Sequence, residues 1–296
     1  MEIRVLRYFL AVAKTGNITN AANALHLTQP TLSRQIKELE ERLGQALLVR
    51  KSHHVSLTPA GVLFRKRAEE IISMVDKTHA EFKTMQDTVS GDIYIGGGET
   101  DAIRRIAEIL KSLRERYPGI HVHLYSGNST DVTERLDKGL LDFGLLIDPA
   151  DLTRYDSLRL PDRDRWGVVM RKDSPLAAKT SIRKDDLFGL PLICSRQAMA
   201  ADSDSNDFVA WFGDDFDKLD IVTTFNLIYN ANIMVESGIG YALSIDKLTN
   251  TSAGSPLCFR PLSPALESGL NIVWKKEQVF SAASALLLQE MRAAFA

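Results

Sequence analysis

Thr28, Gln29, Pro30, Thr31, Ser33, Arg34, Gln35 and Lys37 crowd into one short stretch near the N-terminus. The polar side chains among them are those that read nucleic acid. Arg pairs bidentately with guanine, Gln with adenine, and a Ser or Thr hydroxyl serves either base. Arg50, Lys51 and His53 follow a little further on, a cationic group suited to phosphate. On an isolated helix such residues would be an ordinary solvated face. A reading role requires an element that carries them into a groove.

A second set of candidates sits in the later part of the chain. Thr100 and Asp101 form one group, and Asn128, Ser129 and Thr130 another; Ser195 and Arg196, then Phe225 and Asn226, complete the set. Each group follows a strand-like run and opens a helix-like one, where hydroxyls and free N–H groups favour a bound anion. Singly, each is explained by helix capping. Together they suggest a small anionic ligand, with Ser195 and Arg196 facing Thr100 and Ser129 across a cleft. Glu99 and Asp101 add negative charge beside Thr100, so the anion reading requires both to point away.

Catalytic signatures are missing. The chain has no Gly-x-Ser-x-Gly elbow, Walker loop, His-Glu-x-x-His or Cys-x-x-Cys. Gly96-Gly97-Gly98 lacks the rest of a dinucleotide fingerprint. Neither His53-His54 nor His121-x-His123 has the Cys or carboxylate neighbours of a metal site. Cys194 and Cys258 read as small core hydrophobes, with a redox pair as the alternative. No enzyme activity, cofactor or metal is therefore expected.

The elements that must position the first set are legible from periodicity. Ile3, Leu6, Phe9, Leu10 and Ala13 mark an amphipathic helix over 2–14, ended by Gly16-Asn17. Thr19 is the expected N-cap of a short helix carrying Ala21, Ala22, Ala24 and Leu25. A third helix runs from Pro30 to Leu43, with Gly44 closing it and Leu32, Ile36, Leu39 and Leu43 as its core side. Leu47–Val49 and Val55–Leu57 read as a hairpin wing with a basic tip. In a helix-turn-helix the start of the second helix enters the major groove.

The run from Ala21-Ala22 through Leu25-His26-Leu27-Thr28-Gln29-Pro30-Thr31-Leu32-Ser33-Arg34-Gln35-Ile36, with Leu39-Glu40, Leu43-Gly44 and Leu57-Thr58-Pro59-Ala60-Gly61, resembles a LysR-type transcriptional regulator. Two places depart from the family pattern. Asn17-Ile18 stands for the usual Ser-Phe, and Gly238-Ile239-Gly240 leads to Ser244-Ile245-Asp246 rather than to Leu-Pro. The resemblance implies a winged helix-turn-helix DNA-binding domain over 1–58, with Ile18–Lys37 as its helix-turn-helix. It also implies a two-lobed effector domain like a periplasmic binding protein, whose pocket uses hydroxyls at Thr100 and near Ser129. The implied partners are double-stranded DNA, a small-molecule effector and further copies of the chain, with RNA polymerase as a further candidate. A solute-binding protein or enzyme carrying an accessory DNA-binding domain is the alternative.

Residues 59–89 form the linker. Phe64, Ala68, Ile71, Val75, Thr78, Phe82, Met85 and Val89 repeat at alternating spacings of four and three, the seam of a coiled coil. The predicted helix is about 45 Å long and needs a partner, which suggests a homodimer, or a tetramer built from dimers. From residue 90 strands and helices alternate as βαβαβ, so a largely parallel sheet is expected. Lobe I is expected over about 90–162 and 266–296, and lobe II over about 163–265. The fold class is thus α/β, preceded by an all-α winged helix-turn-helix.

Bulk properties agree. The chain of 296 residues carries a net charge of −2, yet residues 1–65 hold nine Lys/Arg against four Asp/Glu. A basic segment on an acidic body suits contact with a polyanion through the N-terminus alone. No apolar run approaches the roughly 18 residues of a membrane span. Charges break the first residues too often for a secretory leader, so a cytoplasmic protein is expected.

Overall fold

Helix α1 (Ile3–Thr15) buries Val5, Leu6, Phe9 and Val12 on one face and stops at Gly16, which adopts φ 62°. Helix α2 (Ile18–Ala24) starts at Asn17 rather than Thr19, because the Asn17 side chain accepts from the Asn20 N–H at 3.0 Å. Helix α3 (Gln29–Leu43) is capped by Thr28 and buries Leu32, Ile36 and Leu39. Leu43 is 41% exposed, not a core residue: the helix ends there in the left-handed Gly44. Strands β1 (Leu48–Arg50) and β2 (Val55–Leu57) pair antiparallel as the expected wing. This is a computed structural model, and it describes residues 1–50, 54–83, 89–148, 150–199 and 206–295. The chain divides into two units, Met1–Lys83 and Thr84–Ala296, so the three-helix domain and the linker helix share the first.

Helix α4 (Pro59–Lys83) corrects part of the seam. Ala68 is fully buried in the core of its own unit, and Phe64 meets Phe9 edge-on at 4.9 Å between ring centroids. Those two positions are already covered by α1. Ile71 remains 39% exposed and Val75 half-buried. Val89 packs against the core of the second unit instead of continuing the seam. Met85 and the side chain of Phe82 lie outside the described residues.

The second unit is built on one continuous run of strands. Its elements in chain order are β3 (Gly91–Gly97), α5 (Ile103–Arg116), β4 (Ile120–Ser126), α6 (Ser129–Asp137), β5 (Phe143–Ile147) and β6 (Tyr155–Arg171). Then come β7 (Pro191–Ser195), α7 (Asp207–Phe212), β8 (Asp220–Phe225), α8 (Ile228–Glu236) and β9 (Tyr241–Ile245). Strands β10 (Leu257–Pro261) and β11 (Glu267–Lys275) and helix α9 (Ala282–Phe295) close the chain. The strand order is β4-β3-β5-β11-β6-β9-β7-β8, with β10 also on β6.

Lobe I holds the parallel trio β4, β3 and β5, and lobe II the parallel trio β8, β7 and β9. Strand β6 belongs to both. Its first half pairs with β11, and its second half with β9 and β10. The strand is 17 residues long and carries Pro161 in its interior, where the β11 register shifts between Gly269 and Asn271. A proline is tolerated at such an irregularity because no ladder N–H is missed. The two lobes have separate apolar cores, one around Ile93, Phe143 and Leu287, the other around Val168, Leu192 and Phe212. The strand ends of β3, β4, β7 and β8 therefore face a cleft between lobes.

Candidate functional site

In the first unit the polar stretch forms one exposed end of α3. Thr28 accepts from the Thr31 N–H, and the two hydroxyls lie 2.8 Å apart. Pro30 occupies the first turn, where a missing N–H costs nothing. Thr28, Gln29, Pro30, Thr31, Arg34 and Lys37 are exposed, while Ser33 and Gln35 are half-buried. Arg34 bonds Glu38 at 2.8 Å, and Lys37 lies 3.5 Å from Glu41. Exposed pairs of this kind are weak, so phosphate or a base edge can take either cation.

The wing is tied to α3 by Glu40. Its carboxylate accepts from the Leu47 and Leu48 N–H groups at 2.8 and 3.0 Å. Arg50 donates to Ser33 at 3.2 Å and reaches Glu40 at 3.4 Å, so it braces the wing as well as charging it. Sequence reasoning had no signal for the Glu40 role, since its partners are backbone groups several residues away. Lys51 and His53 lie outside the described residues.

In the second unit the cleft is lined by Asn128, Ser195, Phe225 and Asn226, as anticipated. Its walls are Ile147, Trp166, Phe208, Ile228 and Leu248. The cavity is small, about 70 Å³. Asn128 caps α6 by accepting from the Asp131 N–H at 2.9 Å. Gln197, which sequence reasoning left out, and Glu99, which the anion reading required to point away, bridge the lobes. Gln197 accepts from the Ser129 N–H at 3.1 Å, and Glu99 accepts from the Ile228 N–H at 2.5 Å. Each places an oxygen of one lobe on the helix N-terminus of the other.

Five anticipated residues do not line this cleft. Arg196 is exposed, its backbone N–H engaged by the Phe225 carbonyl. Thr130 is exposed on α6, and Ser129 reaches the cleft's edge only through its N–H. Asp101 pairs with Arg104 at 2.9 Å and approaches Lys247 at 3.8 Å, in a separate polar crevice. Thr100 is buried, its hydroxyl donating to Asp164 at 3.0 Å, and it lines instead a neighbouring cavity of about 370 Å³ that shares Glu99 and Ile228 with the cleft. The condition for an anionic ligand also fails in part: Asp101 points away, but Glu99 points in.

Asp164 lies where β6 passes between lobes. It is 4% exposed, and its second oxygen has no hydrogen-bond partner. Burial pushes its carboxyl up to about 6, with the Thr100 hydroxyl pulling the other way. The folded chain therefore holds this proton between about pH 4 and 6, where the unfolded chain has lost it. Stability falls as pH rises through that window and stays lowered above it. Asp164→Asn keeps an acceptor for Thr100 and removes the buried charge. It should raise the unfolding free energy at pH 7 by about 1–3 kcal/mol and change it little at pH 4. Urea unfolding at the two pH values checks this, and an equal gain at both would refute it.

The cysteines are poor redox centres. Cys194 is fully buried and its thiol is pushed up to about 12; burial also raises Cys258. Burial thus keeps the reactive thiolate of Cys194 scarce and disfavours that of Cys258.

Comparison with known proteins decides what a winged three-helix domain before a two-lobed cleft domain represents. Residues 3–62 match the family described as "Bacterial regulatory helix-turn-helix protein, lysR family", and residues 86–296 match "LysR substrate binding domain". The chain belongs to the LysR family. It is a DNA-binding transcriptional regulator with an effector-binding domain. The Hca operon transcriptional activator HcaR of Escherichia coli is 32% identical, over 94% of this chain and 93% of that protein. The regulator BudR of Raoultella terrigena is 27% identical over 93% and 95%. The fold is that of crystalline CbnR, a LysR family transcriptional regulator, with a TM-score of 0.79, full coverage of both chains and 19% identity. CbnR has also been solved with its target DNA, at a TM-score of 0.77 over 99% of this LysR chain, all of CbnR and 19% identity. These relatives are regulators rather than enzymes.

Proposed function

We propose that this LysR regulator binds double-stranded DNA through the N-terminal end of α3, that it does so as a dimer, and that a small molecule in the inter-lobe cleft modulates binding. The supporting observation is the asymmetry of α3. Leu32, Ile36 and Leu39 are fully or almost fully buried, while Thr31, Arg34 and Lys37 project from the opposite side. Gln29, Thr31, Ser33, Gln35 and Arg34 address base edges. Arg50 on the wing addresses the backbone, and Lys51 and His53 join it by their place in the sequence. RNA polymerase is a candidate partner at the promoter. Among the described residues no helix is long and apolar enough to cross a membrane.

Self-association rests on the exposed part of α4, where Ile71 and Val75 continue the seam beyond Ala68. A paired linker would set the distance between two half-sites on one face of the duplex. Binding in the cleft alters lobe closure, and the linker carries that change to the DNA-binding domains.

The test uses fluorescence anisotropy on a duplex recovered by selection with the full chain. Arg34→Ala should cost about 1–3 kcal/mol and relax preference at one base position. A uniform loss across all duplexes would reassign Arg34 to the backbone, and no loss would remove it from the interface.

A further inference from the structure

The inter-lobe cleft is acceptor-rich, and among the described residues no cation lines it. Among the described residues the only charged groups lining it are Glu99 and Asp148. Asp148 already has partners, Asn271 donating at 2.8 Å and Arg159 at 3.3 Å. Glu99 sits on the first N–H of α8, a helix of nine residues with no side-chain cap of its own. Gln197 fills the equivalent place on α6, also nine residues long. Helix N-termini are where an open α/β sheet takes a ligand's anionic group. Here the protein's own oxygens hold both positions.

A ligand carboxylate would have to evict Glu99 from the Ile228 N–H. The displaced carboxylate would then share the cleft with the new one and with Asp148. Two like charges in a partly desolvated site disfavour each other strongly. A ligand that brings donors meets no such obstacle. It can add to Glu99, Asn128, Ser195 or Asn226 while its body packs on Trp166 and Phe225. The 70 Å³ cavity is itself too small for a ring, so a ring bound there must part the lobes or extend into a cavity of about 370 Å³ that shares Glu99 and Ile228 with it.

On the reading that the cleft is the effector site, we propose that Glu99 is a specificity determinant that closes the cleft to carboxylates. The cleft thereby selects an apolar, ring-sized ligand bearing hydrogen-bond donors such as an amide or amine. Gln197 serves with Glu99 as the internal acceptor pair that holds the lobes together until the ligand enters.

The test titrates the full chain with benzoate, benzamide and benzylamine, following tryptophan fluorescence and calorimetric heat. The wild type should bind benzamide and benzylamine at least about tenfold more tightly than benzoate. Glu99→Gln keeps an acceptor for the Ile228 N–H, so the bridge survives without its charge. Benzoate should gain about tenfold in that variant, and benzylamine should lose by a similar factor. Benzoate binding the wild type as tightly as its amide, an unchanged order in Glu99→Gln, or no binding by any of the three would each overturn the proposal. Ser195→Trp, which fills the cleft, separates the two claims. Binding that it abolishes is in the cleft, so only the ligand class would then be at fault. Binding that persists in it would place the site elsewhere and sink the cleft reading itself.

Discussion

Gly61→Ala should destabilise the first unit by about 3 kcal/mol or more, the upper end of what overpacking usually costs. A Cβ at this position would stand 2.0 Å from the Leu47 carbonyl oxygen and 3.0 Å from its carbon. Both obstacles are backbone, and neither can rotate aside. That carbonyl also accepts from the Thr58 N–H at 3.0 Å. Thr58 in turn donates its hydroxyl to Ala46 at 2.7 Å and accepts from the Gly61 N–H at 2.9 Å. The junction of wing and linker helix is one hydrogen-bonded knot with no room for a methyl group. A unit of this size has only about 4–12 kcal/mol of stability in hand, so the loss removes a large share of it. Denaturant unfolding should show the first unit's transition moving to lower denaturant, with DNA affinity falling alongside. Gly44→Ala is the control. Nothing lies within 4 Å of a Cβ there, but φ is +64°, so the cost is the left-handed backbone alone, about 1 kcal/mol. Equal effects of the two substitutions would mean that the close approach at Leu47 does not matter.

The second large effect concerns assembly. Ile71→Asp with Val75→Asp should break the dimer and lower DNA affinity by about 10²–10⁴, the gain that linking two binding modules provides. Both positions lie outside the buried core that α4 shares with α1, whose contact with this stretch of α4 includes the exposed Arg7–Asp76 pair at 2.6 Å, so the monomer's fold should survive. Placing a carboxylate in an apolar seam costs far more than the lost contact, because an unpaired charge resists burial. Sedimentation of the variant should give a monomer. An unchanged oligomer with unchanged affinity would show that α4 is not what joins the copies.

The sequence was most legible where one face of an element is buried against a neighbour. The spacing of Leu32, Ile36 and Leu39 marked α3, and Pro30 and Gly44 marked its ends to within a residue. Val55–Leu57 and the parallel strands of lobe I were equally clear. It was least legible where pairing overrides composition. Tyr155–Arg165 holds Pro161 and many charges, so it reads as a loop, and only β11 alongside makes it a strand. The coiled-coil spacing was real, but it could not say that α1 covers Phe64 and Ala68. The cleft was half visible. The rule that ligands sit at the carboxyl ends of strands pointed to Asn128, Ser195, Phe225 and Asn226, which line it. It could not find Gln197 or the inward turn of Glu99, because each acts on the opposite lobe, through a contact more than sixty residues away in the chain.

The central claim is that the exposed end of α3 reads sequence in double-stranded DNA. The most direct measurement is selection of binding sites from random duplexes by the full chain, repeated with Arg34→Ala. The wild type should enrich a motif of two half-sites about one helical turn, or a multiple of it, apart. Its affinity for that motif should exceed non-specific binding by about 10³ or more, and Arg34→Ala should lose preference at one position of each half-site. No enriched motif, or one that Arg34→Ala selects unchanged, would contradict the account.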